Sequence, residues 1–218
     1  MPDVQRYKWP RTFHLPFSLG ATDDDKMLKS IEHFVGKEIV VTEKMDGENT
    51  TVYSDGYVHA RSVDGRPHPS QDWLRRVAGE FSYHLPVGTR VCGENVYAFH
   101  SIWYKDLCTY FYVFAMCEGT RSYPWDDVVL YSQMLALRTV PVLYRGVWDE
   151  DLVKACMTGE SKVGGEQEGY VVRLASEFDI RDSAVSMAKF VRKGHVQEGT
   201  AHWAHSAIVP NKLRGGCV

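Results

Sequence analysis

The chain has 218 residues, 44% of them hydrophobic and 24% charged, with a formal net charge of −3. That length and apolar content support a sizeable core in one large domain or two small ones, and the mildly acidic balance excludes a uniformly basic nucleic-acid coat. No apolar run approaches the length of a membrane span and the first twenty residues lack an apolar signal core, so a soluble, cytoplasmic protein is expected.

The first predicted element is an amphipathic helix over 23–36, "DDDKMLKSIEHFVG". Acids open it, Met27, Leu28, Ile31, Phe34 and Val35 recur at helical spacing, and Gly36 closes it. "EIVVTEK" (38–44) and "TTVYSDGYVHARS" (50–62) are instead rich in β-branched residues and tyrosine, and Asp55-Gly56 breaks the second into a hairpin. A helix over 70–81 follows, with Ser70 as N-cap and Trp73, Leu74, Val77 and Phe81 on one face. Further strands are predicted in "TRVCGENVYAF", "LCTYFYVFAM" and "EGYVVRLA", with helices over 126–137 and 149–157. The order lacks a regular βαβ rhythm. It predicts an α+β fold of mostly antiparallel sheets flanked by helices, in one domain over 1–218.

Cys92, Cys108, Cys117, Cys156 and Cys217 are odd in number and form no C-x-x-C pair, which indicates neither a zinc site nor a disulfide framework. The nine histidines form no metal-binding spacing. His195, His202, Trp203 and His205 follow a basic strand and suit packing or polynucleotide stacking better than zinc. The N-terminal "YKWPRTFHLP" mixes aromatics and cations similarly, and either caps the sheet or lines a nucleic-acid path. Near the other end Lys189, Arg192, Lys193, Lys212 and Arg214 face only Glu198.

Lys44 ends the first strand, just before "MDGEN". A lysine at a rigid strand end becomes a nucleophile when neighbouring cations or desolvation lower its pKa, and Gly47 would let the backbone approach a ligand closely. By itself "KMDG" reads rather as an exposed lysine before a turn. Downstream, however, "HARS", "CGENVY", "FYVFAM", "EGYVVRL" and "MAKFVRK" follow in order. With "KMDGEN" they resemble motifs I, Ia, III, IIIa, IV and V of the covalent nucleotidyltransferases, most closely the ATP-dependent RNA ligase branch with its ATP-grasp-like fold. The resemblance spans about residues 40–193.

That resemblance implies a role for each matched residue. Lys44 would form lysyl-AMP from ATP, next to Glu43, and Asn49 would touch the phosphates. Arg61 would engage the phosphate of the end being joined, Glu94 the ribose, and Glu168 the metal, Mg²⁺ or Mn²⁺. Phe114 would stack on adenine or simply fill the sheet interior. Two departures stand out. Ala115 follows Phe114 where the family often has aspartate, and motif V offers Lys189, Val191, Arg192 and Lys193 instead of two lysines two residues apart; strand alternation puts Lys189 and Val191 on one face.

The expected function is therefore joining of RNA 3′-OH and 5′-phosphate ends through lysyl-AMP, with DNA ends possible as substrate. Only 25 residues (218 − 193) follow Lys193, too few for an OB barrel. This weighs against a capping-type guanylyltransferase or a two-domain DNA ligase. It leaves room for a minimal DNA ligase or a separate substrate-binding partner. A non-catalytic nucleotide- or RNA-binding module of the same fold is the alternative from another class.

Overall fold

Among the described residues twelve strands follow one another: β1 (Phe13–His14), β2 (Glu38–Glu43), β3 (Glu48–Tyr53), β4 (Val58–Ala60), β5 (Thr89–Asn95) and β6 (Phe111–Glu118), then β7 (Arg121–Ser122), β8 (Arg138–Thr139), β9 (Val142–Val147), β10 (Gly169–Leu174), β11 (Phe178–Asp179) and β12 (Met187–Val191). The same residues hold four α-helices: α1 (Asp72–Phe81), α2 (Trp125–Met134), α3 (Glu150–Ala155) and α4 (Ser183–Ser186). The computed structural model describes residues 5–63, 67–195 and 208–216. His202, Trp203 and His205 lie outside them.

The strands form two sheets. One runs β1-β12-β10-β2-β9; the other runs β11-β7-β6-β5-β3-β4, with β8 beside β6. Pairing is antiparallel except for the short β1·β12 and β6·β8 pairs, so the fold is α+β with mostly antiparallel sheets, as the sequence predicts. The hairpin at Asp55-Gly56 forms, with Gly56 at φ 80°, a conformation glycine adopts without steric cost.

β2 shows how the strands feed two cores. Ile39 and Val41 enter a cluster with Cys92, Ala115, Tyr170, Val172 and Ala188, while Val40 joins a second cluster with Val52, Leu74, Val91 and Trp125. Alternation along a strand buried on both faces produces that division. α1 packs Leu74, Ala78 and Phe81 inward on the face the periodicity marks. A 3-10 turn, Pro69–Gln71, precedes it, and Gln71 and Ser70 bond the Glu48 carboxylate at 3.1 and 3.5 Å.

The helix predicted over 23–36 is absent, and turns take its place. Its apolar residues do not share a buried stripe: Leu28 and Phe34 are buried, whereas Met27 and Val35 are exposed. Two other demands win. The Leu28 amide bonds the His14 carbonyl at 2.8 Å, and the Asp25 carboxylate caps the Thr22 amide at 3.1 Å. Among the cysteines, Cys92, Cys117 and Cys156 are buried free thiols, while Cys108 is disulfide-bonded, a pairing the cysteine spacing did not indicate. No helix among the described residues is long and apolar enough to cross a membrane.

Candidate active site

A pocket of about 270 Å³ opens between the two sheets, where the ends of β2, β10 and β12 face β3, β5 and β6. Its position follows from register. β10 pairs with β2 so that Tyr170 faces Glu43, and the Lys44 amide bonds the Gly169 carbonyl at 3.1 Å. On the other side the Arg192 amide bonds the Glu168 carbonyl at 3.0 Å. Gly169 makes this clamp possible, since a Cβ there would run into the Phe190 backbone. Lys44 and Glu168 are thereby brought together, and Lys44 Nζ lies 2.5 Å from Glu168 Oε1.

The charges around Lys44 act against its burial. Burial works to lower the ammonium's pKa, but Glu168, Glu94 and Asp46 outweigh it and raise the pKa above the ordinary lysine value. Conversely, burial pushes the Glu94 carboxyl up to about 8, with Glu168 and Asp46 adding to the rise against the pull of Lys44. Lys189, on β12, is depressed by burial and then by the charge of Lys44. Ionisable groups perturbed this strongly and clustered at one cleft mark a candidate functional site.

The other predicted residues divide. Asn49, Arg61, Glu94, Phe114 and Lys189 all line the pocket with Lys44, and the Asn49 Oδ1 is buried with no hydrogen-bond partner. Arg61 lies just past the end of β4, exposed at the rim. Glu43 also borders the pocket, but its Oε2 accepts the Lys162 amide at 2.8 Å. Burial raises its pKa. Lys193 sits exposed on the turn after β12 and is not among the lining residues, and Arg192 is held by Glu166 at 2.6 Å. Ala115 is fully buried in an apolar cluster with Cys92 and Cys117 and is not among the residues that line the pocket.

Several residues escaped sequence reading. Asp25 reaches Lys189 Nζ at 3.5 Å and His14 Nε2 at 3.3 Å, contacts hidden by the predicted helix over 23–36. Trp9 packs its ring on Phe114, with centroids 5.0 Å apart, and forms a wall of the pocket. Arg173 is buried in the lining and donates to the Phe114 and Tyr123 carbonyls. Burial lowers its pKa to about 10. Asp46 looked like a turn former. Its Oδ2 in fact accepts from the Ser101 amide and hydroxyl at 2.8 Å and the Ile102 amide at 3.0 Å. Gly47 permits a close approach to the Asn95 carbonyl, which a Cβ would meet at 2.6 Å.

Asp46, Glu168 and His195 bring one ligand atom each within 4.8 Å of one another, with His195 Nε2 3.3 Å from Glu168 and 3.7 Å from Asp46. The Glu168 Oε2 and His195 Nδ1 are buried without hydrogen-bond partners. Two carboxylates and an imidazole this close together are a donor set that fits a divalent cation.

A family model described as RNA ligase matches residues 37–191, more than two thirds of the chain. The chain belongs to the RNA ligase family. Solved structures agree on the fold. An apo mutant of the Naegleria gruberi RNA ligase superposes with a TM-score of 0.54 at 21% identity, covering 74% of this chain and 51% of that one. An archaeal ATP-dependent RNA ligase gives 0.53 at 18%, covering 85% and 48%. A putative ATP-dependent DNA ligase from Aquifex aeolicus gives 0.56 at 18%, covering 86% and 50%. This RNA ligase family member thus spans about half the length of these three structures. No curated protein sequence matches it.

Proposed function

We propose that the chain is an ATP-dependent RNA ligase that joins 3′-OH and 5′-phosphate ends through a lysyl-AMP intermediate, working from a single nucleotidyltransferase domain in the cytoplasm. One observation carries the reading: Lys44, Asn49, Arg61, Glu94, Phe114 and Lys189 line one pocket, and Lys44 is ion-paired to Glu168. Solved forms of the Naegleria gruberi ligase hold ATP or AMP with manganese, in keeping with ATP and a divalent metal here.

In the first step the Lys44 amine attacks the α-phosphorus of ATP. A P–N bond forms, the bond to the bridging oxygen breaks and pyrophosphate leaves. Only the neutral amine has the lone pair to attack, and Glu168 Oε1 is within reach to accept its proton. Lys189 and Arg61 offset phosphate charge, and Asn49 Oδ1 is a free acceptor for a hydroxyl. Phe114 and Trp9 provide an aromatic wall for the base. Asp46, Glu168 and His195 would hold Mg²⁺ or Mn²⁺, whose charge offsets that of the phosphates. AMP then passes to a 5′-phosphate, and attack by a 3′-OH forms the phosphodiester and releases AMP.

Incubation with α-labelled ATP and Mg²⁺ leaves the label on the protein, and Lys44→Ala abolishes it. Persistent labelling of that variant would refute the assignment. The likeness to the Aquifex protein favours a minimal DNA ligase as the second reading. Mixing adenylylated protein with nicked RNA and nicked DNA separates the two and reveals whether a separate partner is needed to seal either.

A further inference from the structure

Outside the central pocket a second groove is lined by Lys8, Trp9, Pro10, Arg11, Lys26 and Arg61, together with Ser62. Four of these residues are cations and none is an acid, on a chain whose net charge is −3. They come from three separate segments: the N-terminal strap, the turn before β2 and the end of β4. All four are exposed, and Lys8, Arg11 and Arg61 form no ion pair with any described residue. Tertiary folding has therefore concentrated unneutralised positive charge on one surface.

The strap that carries Lys8 and Arg11 is fastened on both sides. Before Lys8, Arg6 pairs with Asp55 at 2.5 Å and stacks over the Tyr53 and Tyr57 rings, while the Tyr7 amide bonds Tyr53 Oη at 2.7 Å. After it, Trp9 is buried on Phe114 and β1 pairs with β12. Lys26 lies 5.4 Å above the Phe13 ring. Anchored neighbours hold these cations at fixed places, so less freedom is lost when they meet an anion.

The groove shares Trp9, Pro10, Arg11 and Arg61 with the catalytic pocket and is continuous with it. Inside the pocket the ligase reading already assigns Lys44 and Lys189 to the nucleotide. Cations spread outward along an open surface suit an extended polyanion instead. Resting on the ligase reading above, we propose that this groove seats the RNA strand that carries the 5′-phosphate, with Lys8, Arg11 and Lys26 on its backbone phosphates and Arg61 at the pocket mouth. Contacts of this kind position a strand without reading its bases.

The test uses the full chain and Lys8→Ala/Lys26→Ala, two exposed positions outside the ATP pocket, after confirming equal melting temperatures. Binding of a fluorescent 5′-phosphorylated RNA oligonucleotide is followed by anisotropy over a salt series, beside self-adenylylation as a function of ATP. The expected result is a loss of RNA affinity of at least about fivefold at low salt. The slope of log affinity against log salt becomes shallower by about 0.7 per cation removed, and adenylylation stays within about twofold of the parent. Unchanged RNA affinity and slope overturn the proposal, as does a rise in KM for ATP that matches the loss in RNA affinity. Should the parent chain fail to adenylylate at all, the ligase reading falls while the RNA measurement still decides the groove.

Discussion

Lys44 Nζ and Glu168 Oε1 meet at 2.5 Å because antiparallel pairing of β2 and β10 sets the end of one strand beside the start of the other. The pair is an ion pair between a partly exposed lysine and a buried carboxylate. Replacing Glu168 with glutamine removes the charge that raises the Lys44 pKa. Glu168→Gln is expected to make Lys44 more reactive toward an amine-directed acylating probe at pH 8, while adenylylation from ATP falls by about 100-fold or more. Mass spectrometry of the labelled lysine and the α-labelled ATP assay measure the two effects, which run in opposite directions.

Glu94 governs a pH dependence whose sign is fixed by its raised pKa. The unfolded chain ionises this carboxyl near 4.5, whereas the folded protein keeps it protonated to about 8. Its contribution is therefore fully present below the unfolded pKa and is lost as pH rises toward 8. Glu94→Gln in the nucleotide-free protein should melt above the parent at pH 8, by an amount on the order of 1–3 kcal/mol, and the gap should close toward pH 5. Parallel melting curves at the two pH values would contradict this.

Gly47→Ala tests the packing role of the turn after Lys44. The added Cβ meets the Asn95 carbonyl oxygen at 2.6 Å, and backbone cannot swing aside as a flexible side chain can. Destabilisation of about 1–3 kcal/mol follows, visible in urea denaturation without any ligand. If stability is unchanged and only ATP binding weakens, Gly47 serves the ligand after all.

Ala115→Asp restores the residue type expected after Phe114 from the family pattern. In this chain the position is fully buried in an apolar cluster with Cys92 and Cys117. An ionised carboxylate there should cost about 3–5 kcal/mol, leaving little soluble folded protein, with no gain in adenylylation rate. Faster adenylylation at unchanged stability would show that the alanine is a functional loss.

Much of the site was legible because its residues stand at strand ends within short signatures. "KMDGEN", "CGENVY" and "EGYVVRL" mark Lys44, Glu94 and Glu168, and alternation in "MAKFV" turns Lys189 to the pocket. The turn-rich segment over 23–36 was not legible. Its 3.6-residue periodicity is real, but Asp25 is engaged by Thr22, His14 and Lys189, and the Leu28 amide bonds to the His14 carbonyl. Such long-range contacts override a local helical preference that is worth only tenths of a kcal/mol per residue.

By itself the sequence determined the longer strands β2 to β6 and β10, the hairpin, the α+β class and the places of Lys44, Glu94, Glu168 and Lys189, since these follow from periodicity and local signatures. Only the tertiary structure decided which groups share a charge environment. It joined Lys44 to Glu168 and Asp25 to Lys189, laid Trp9 against Phe114, and gathered Lys8, Arg11, Lys26 and Arg61 on one groove. Electrostatic coupling depends on distance and burial, and neither can be read from separation along the chain.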